Sequence, residues 1–325
     1  MILTDIKFDT NQLIKEYKPV IFDKNKFIVF KLGLKNISNN SSIINYSRWS
    51  EEELPSTFQT SDLKLQLHQN YFDYPESTND CIEWHLNFAH SDIFVAYGSE
   101  LFAQDEMQVA EHPVLACLRE SLINSNKYED CLTVENNKAT PILITGVERK
   151  CFIETNIDSS KDRPYGLYGN NFSRASENAI KFATQLINPP TISNIIAIES
   201  PPPETGKYTK QQIEFIIKNA ITGFNAAVKK SKEMNKNAKV SIHTGYWGCG
   251  AYGGNRELMP LLQIIAAHIS KIDILHFHTG NDNQGYFSAL ETFKDILHFD
   301  HEINFEKLLE ILIDMNYEWG ISDGN

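Results

Sequence analysis

The feature that most constrains this chain is an alternation of short, apolar, β-branched runs with longer stretches whose apolar residues recur every three or four positions. Ile82–Phe88, Ile142–Val147, Ile195–Glu199, Val240–Thr244 and Ile272–Phe277 are short and nearly continuous in apolar residues, as strands buried on both faces must be. Leu101–Ala110, Val114–Ile123, Arg174–Ile187, Lys210–Met234, Leu258–Ile269, Tyr286–Leu297 and Phe305–Met315 carry the helical period. Strands laid beside crossover helices give a layered α/β/α domain. Pro201–Pro203 stops the third strand abruptly, since proline cannot donate to a sheet. The first 75 residues lack this alternation and end in the turn-rich Tyr71–Asp80. They are expected to be an accessory segment packed on the core, with 76–325 as the main domain. Asn36–Ser42 reads as a solvated loop, and the Asn-X-Ser triplets at Asn36 and Asn171 as loop sequence rather than glycan sites.

Charge narrows the partners. The 325 residues hold 30 Lys+Arg against 42 Asp+Glu, a net charge of −12, and no basic stripe suits a nucleic-acid backbone. A phosphate-bearing ligand must then be held by backbone dipoles or by a local site. Five cysteines, Cys81, Cys117, Cys131, Cys151 and Cys249, include no CxxC pair and read as reduced thiols. Asp5, Lys7 and Asp9 follow Met1-Ile2-Leu3, which leaves no apolar segment for a signal peptide, and no run approaches the ~18 residues of a membrane span. A soluble, cytoplasmic chain without membrane insertion is expected.

The sharpest local motif is Thr244–Gly254, which reads Thr-Gly-Tyr-Trp-Gly-Cys-Gly-Ala-Tyr-Gly-Gly between a strand and a helix. Glycines in such number serve positive φ or close approach of backbone N–H groups to a ligand. At the start of a helix those groups favour an anion, typically phosphate, and Tyr246, Trp247 and Tyr252 can stack on a sugar or base. Gly248 to Gly253 also satisfies GxGxxG, with Asp273 about twenty residues on. That acid precedes its strand instead of ending it, so the dinucleotide reading fails. No Lys-Ser/Thr follows the glycines, which excludes a Walker loop.

Gln104-Asp105-Glu106 opens a helix beyond the first strand. Neighbouring helical side chains diverge by about a hundred degrees, so one acid faces a given cleft while its neighbour supports it. Burial against Phe94, Phe102 and Met107 raises a carboxyl's pKa toward the range useful for protonating a leaving group. His276 and His278 share one strand face, with Cys249 or His243 as possible neighbours, but no second ligand pair with zinc spacing follows. Neither a metal nor another cofactor is expected.

Together these segments resemble the poly(ADP-ribose) glycohydrolase (PARG) type of macrodomain. Thr244–Gly254 and the Glu257–Ala267 helix are similar to the family's glycine block and following helix, Asp273–Gly280 to its next strand, Ile142–Glu148 to its Ile-Thr-Gly-Thr-Glu strand and Ile195–Glu199 to its Val-Ala-Ile-Asp strand. The resemblance spans about residues 80–300. It implies a mixed sheet between helix layers, with extra helical elements at both ends of the chain, and a ligand cleft at the strand ends. It places Glu106 on the catalytic acid and Asp105 on its neighbour. It places Asn87, Phe88, His90, Gln104, Gly245, Tyr246, Trp247, Gly248, Cys249, Gly250, Ala251, Tyr252, Gly253, Phe277 and His278 around the substrate. Asn87, His90, Tyr246 and Tyr252 depart from the family residues. The family's triple glycine falls on Phe94-Val95-Ala96, which implies a reshaped subsite where the bond is cut. A divergent bacterial branch with such changes, found among effectors of intracellular pathogens, acts on mono-ADP-ribosylated protein, arginine-linked included, and the resemblance to it implies export into a host cell without a classical signal peptide as an alternative to a cytoplasmic location. The implied activity is release of ADP-ribose from modified protein, the partners being ADP-ribose and its protein conjugate. The alternative is an inactive ADP-ribose-binding module.

Overall fold

The computed structural model describes residues 1–35, 42–298 and 302–324. The Asn36 triplet and nearly all of the Asn36–Ser42 loop lie outside them. The strands are β1 Ile2–Asp9, β2 Ile43–Trp49, β3 Thr57–Phe58, β4 Lys64–His68, β5 Cys81–Ala89, β6 Val134–Glu135, β7 Lys138–Ala139, β8 Ile142–Ile153, β9 Thr184–Glu199, β10 Lys239–Gly245, β11 Ile274–His278 and β12 Ile303–Asn304. The helices are α1 Thr10–Glu16, α2 Lys24–Gly33, α3 Gln104–Glu111, α4 Val114–Ile123, α5 Asn171–Arg174, α6 Glu177–Ala183, α7 Lys210–Met234, α8 Leu258–Ile269, α9 Gln284–His298 and α10 Phe305–Asp314.

One mixed sheet runs β1-β2-β8-β9-β5-β10-β11-β4. β9, β5, β10, β11 and β4 are parallel, whereas β8, β2 and β1 join antiparallel. The inner strands present Ile82, Trp84, Leu86, Ile196, Ile198 and Ile242 to a core shared with α7, α8, α9 and α10. Ile142, Ile144, Ile195 and Ala197 face a second core built with α1 to α6. Two apolar layers on one sheet are the three-layer arrangement expected of strands buried on both faces.

Helix ends follow local chemistry. Thr209 caps α7 by accepting the Gln212 N–H, and Gln212 Oε1 accepts the Thr209 N–H in return, a reciprocal box that satisfies two otherwise orphaned donors. Asp23 caps α2 by accepting from Asn25 and Lys26 at 3.0 and 2.8 Å.

Two expectations are corrected. The 1–75 segment is not a layer added to a finished core, because β1, β2 and β4 are strands of the sheet itself. The Arg174–Ile187 helix ends at Ala183, and Thr184–Ile187 opens β9. Asn188-Pro189-Pro190 forbids helix continuation, and pairing of Thr184, Gln185 and Leu186 with Ile153, Phe152 and Cys151 satisfies the extended backbone instead.

Candidate active site

Topology brings the acidic helix and the glycine loop together. β5 and β10 are adjacent and parallel, with Cys81 beside Lys239 and His85 beside His243. Their carboxyl ends therefore emerge side by side, where open α/β sheets present ligand sites. β5 feeds the loop before α3, and β10 feeds Tyr246–Gly254.

Gln104 fastens the start of α3 to β5. Its Oε1 accepts the Phe88 N–H at 2.8 Å and its Nε2 donates to the Leu86 carbonyl at 2.9 Å. Gln104 thus positions the helix, and its amide is already engaged. Glu106 Oε2 accepts the Ala103 N–H at 2.9 Å, and Asp105 Oδ1 accepts from the Asn87 amide at 2.9 Å. The divergence of adjacent helical side chains is realised: one acid turns back to the helix entry, the other to β5. Both are buried. Burial pushes the Asp105 carboxyl well up, the neighbouring Glu106 adds to the rise, and the Asn87 donor opposes it. Burial likewise raises Glu106, with Lys26 pulling the other way.

Lys26, on α2, is fully buried and donates to the Ala96 carbonyl at 3.2 Å. Burial lowers its ammonium to about 8 against the opposite pull of Glu106, Asp105 and Asp23. Glu199, at the end of β9, is buried and pushed up to about 7 for the same reason. Sequence reasoning singled out neither. Glu199 ended a recognised strand, while Lys26 sat in the first 75 residues, read as an accessory segment, with no signal of its partners.

Of the three residues that fall on the family's triple glycine, Phe94 takes a left-handed backbone. Phe94 has φ +57° and its side chain is buried in the second core; Val95 is exposed. Arg119 clamps this loop, reaching Asp92 at 2.6 and 2.9 Å and the Ile93 carbonyl. Of the three side chains expected to reshape the cleavage subsite, the Phe94 ring is thus absorbed by the core.

In the glycine loop, Gly248 has φ +74°, and a Cβ there would stand 2.9 Å from Ser200 Cβ. Gly253 donates to Gly250 and Gly254 to Gly248. Among the described residues, the amides of Gly250, Ala251 and Tyr252 donate to no protein acceptor, leaving consecutive N–H groups that can form an anion nest. α8 begins only at Leu258, so the loop itself, rather than a helix start, supplies these donors. Burial raises the Tyr252 phenol to about 12, and the nearby charges of Glu199, Asp105 and Glu106 add to the rise. Tyr168 connects the two stretches: a Cβ on Gly250 would lie 3.6 Å from its hydroxyl, and its phenol, raised chiefly by burial, also feels Asp323 and Glu106. The tail crosses the loop here, with Gly320 donating to the Gly253 carbonyl at 2.7 Å and Asp323 Oδ2 3.1 Å from that same Cβ position on Gly250.

Most other expected ligand contacts are engaged elsewhere. Trp247 and Phe277 are wholly buried in the first core, so neither can stack on a ligand. Cys249 is buried, its thiol raised to about 12 by burial. A Cβ on Gly245 would meet the His278 carbonyl at 2.6 Å, so this glycine serves strand packing. Tyr246 donates to the Asp282 carbonyl at 2.7 Å and lies under Arg256. His90 is exposed and accepts the Asp92 N–H at 3.0 Å. His278 is buried among other histidines. Phe88 is half-buried, 3.6 Å from the Cβ position of Gly245, and its N–H donates to Gln104 at the start of α3.

Among solved structures, poly(ADP-ribose) glycohydrolase from Deinococcus radiodurans in complex with ADP-ribose is similar at 11% identity and a TM-score of 0.45, over 90% of this chain and 93% of that one. The Thermomonospora curvata enzyme bound to the inhibitor ADP-HPD is similar at 10% identity and a TM-score of 0.43, over 90% and 84%. Residues 142–286 match the family model described as Poly (ADP-ribose) glycohydrolase (PARG), Macro domain fold. That span runs from β8 into α9 and includes the glycine loop, whereas α3 lies before it. The layered mixed sheet and this match make residues 142–286 similar to the PARG macrodomain.

Proposed function

We propose that this chain is an ADP-ribosyl-protein hydrolase that releases ADP-ribose from mono-ADP-ribosylated protein, arginine-linked substrates included. The observation that carries the reading is a pair of buried carboxyls at the start of α3 beside a loop with three unengaged amides. In this reading the Gly250–Tyr252 amides hold the diphosphate and Tyr252 and Phe88 pack on sugar or base. A protonated carboxyl, Glu106 first and Asp105 beside it, donates to the departing nitrogen or oxygen as the bond to C1″ breaks. Water completes the exchange, giving ADP-ribose and the unmodified side chain. Developing positive charge at the anomeric carbon is stabilised by the remaining carboxylate and by the bound diphosphate. Burial suits the acids to this task, because a carboxyl raised toward neutrality still holds a proton to give.

The test is incubation with arginine-, serine- and glutamate-linked ADP-ribosyl proteins and with polymer, reading released ADP-ribose by mass spectrometry. Turnover of at least one mono-ADP-ribosyl linkage is expected, with Glu106→Gln or Asp105→Asn slower by on the order of 10²–10⁴. Full turnover in both variants contradicts the assignment. Tight ADP-ribose binding without release on any linkage identifies a binding module instead.

A further inference from the structure

On the sheet face around β10 and β11 lies a histidine cluster that the proposed reaction does not use. In register, His243 on β10 stands beside His276 on β11, and His278 beside His68 on β4. Asp73, from the segment after β4, reaches the same place: one ligand atom each from Asp73, His243 and His278 lies within 4.8 Å of the others.

Hydrogen bonding assigns the tautomers. His278 Nδ1 faces the Asn70 carbonyl at 3.2 Å, and a carbonyl only accepts, so Nδ1 carries the hydrogen and Nε2 a lone pair. His243 Nε2 faces Glu83 Oε2 at 3.2 Å, and a carboxylate accepts, so Nε2 carries the hydrogen and, in the neutral ring, Nδ1 a lone pair. These two remaining nitrogens, His243 Nδ1 and His278 Nε2, are 3.0 Å apart. Facing lone pairs at that distance repel unless a proton or a metal ion lies between them. Two metal–nitrogen bonds of ~2.1 Å at a right angle span about 3.0 Å. We propose that Asp73, His243 and His278 bind a divalent first-row transition-metal ion.

The surroundings fit. Metal-bound histidines characteristically donate their other N–H to a carboxylate or a backbone carbonyl, and here Glu83 and the Asn70 carbonyl fill those places. Glu83, His243 and His276 also cluster within 4.8 Å. Their two rings, however, are stacked at 4.2 Å with only 7° between planes, so their in-plane lone pairs run side by side and cannot converge on one ion. The His243 and His278 planes are 33° apart. Two imidazoles and one carboxylate leave coordination positions for water, and nitrogen donors favour zinc, iron, cobalt, nickel or copper over calcium and magnesium. His243 and His278 are buried, whereas Asp73 is exposed and marks the entry side. This revises the expectation of no metal: Asp73 lies far from the histidines in sequence, and the ligand spacing is made by the sheet.

The test uses the full chain stripped with chelator and titrated with Zn²⁺ by calorimetry and with Co²⁺ by absorption. One ion per chain at micromolar or tighter affinity is expected, with Asp73→Asn at least tenfold weaker and Glu83→Gln weaker by about 10–100-fold. His243→Gln should abolish binding, and His90→Gln, a surface histidine, should leave it unchanged. Asp73→Asn keeps the test valid should His243→Gln fail to fold, circular dichroism reporting on both. Absence of stoichiometric binding, or equal affinity in wild type and Asp73→Asn, overturns the proposal. So does nitrogen NMR showing His243 Nδ1 protonated and unmoved by Zn²⁺, which would assign the gap to a proton.

Discussion

Asp105, Glu106 and Lys26 are three ionisable groups removed from water together, and their positions set the chemistry available to the site. Asn87 donates to Asp105 and so favours its charged form. Asn87→Ala should therefore raise the acid's pKa further and move the alkaline limb of kcat/KM upward by about half to one pH unit. A pH–rate profile measures this, and a downward shift would contradict the placement of Asp105. The same physics makes Asp105 a liability to the fold. Its folded pKa lies above its unfolded value, so its stabilising contribution is complete below the unfolded pKa and is lost as pH rises through the folded one. Asp105→Asn, which keeps an acceptor for Asn87, should be more thermostable than the wild type near pH 8 by on the order of 1–3 °C, and this gain should vanish near pH 4. Melting curves at both pH values test it. In the sequence the acid pair stood out as adjacent carboxyls at a helix start beyond a strand, and its assigned role came from the family resemblance. The sequence concealed Lys26, since its burial arises only when α2 packs on the Ala96 loop.

The glycine loop shows what an element adds to its residues. Its glycines announced a close backbone approach, but only the folded turn separates roles: Gly245 serves strand packing, whereas Gly250 lies where loop, Tyr168 and tail meet. Gly248→Ala combines positive φ with a contact to Ser200 and should destabilise the chain by about 2 kcal/mol, measurable by urea unfolding. The tail brings the Asp323 carboxylate to this loop, where it would oppose a diphosphate. Asp323→Asn should bind ADP-ribose about two- to fivefold more tightly at low salt, with the difference shrinking as salt screens it. Unchanged or weaker binding in calorimetry would show that the tail supports the ligand. Helices with strong caps, such as α7, were legible end to end. The start of β9 was not, because Thr184–Ile187 fits a helical period and only its long-range partners on β8 decide otherwise.

At the scale of the whole molecule, parallel pairing of β5 with β10 gives the site its unity by placing two distant segments at neighbouring strand ends. Apolar inner strands announced the layers, but the contribution of residues 1–75 to the sheet was hidden. β1, with its alternating burial, and β4, with its partly exposed surface, are edge strands, whose weaker apolar pattern blurs into loop sequence. If this arrangement serves one ligand, a crystal structure of the Glu106→Gln variant with ADP-ribose will show it most directly. The diphosphate should accept from the amides of Gly250, Ala251 and Tyr252, with the distal ribose beside residue 106 and Asp105. ADP-ribose bound away from the loop, or seated on the loop with its distal ribose turned from α3, would contradict the account.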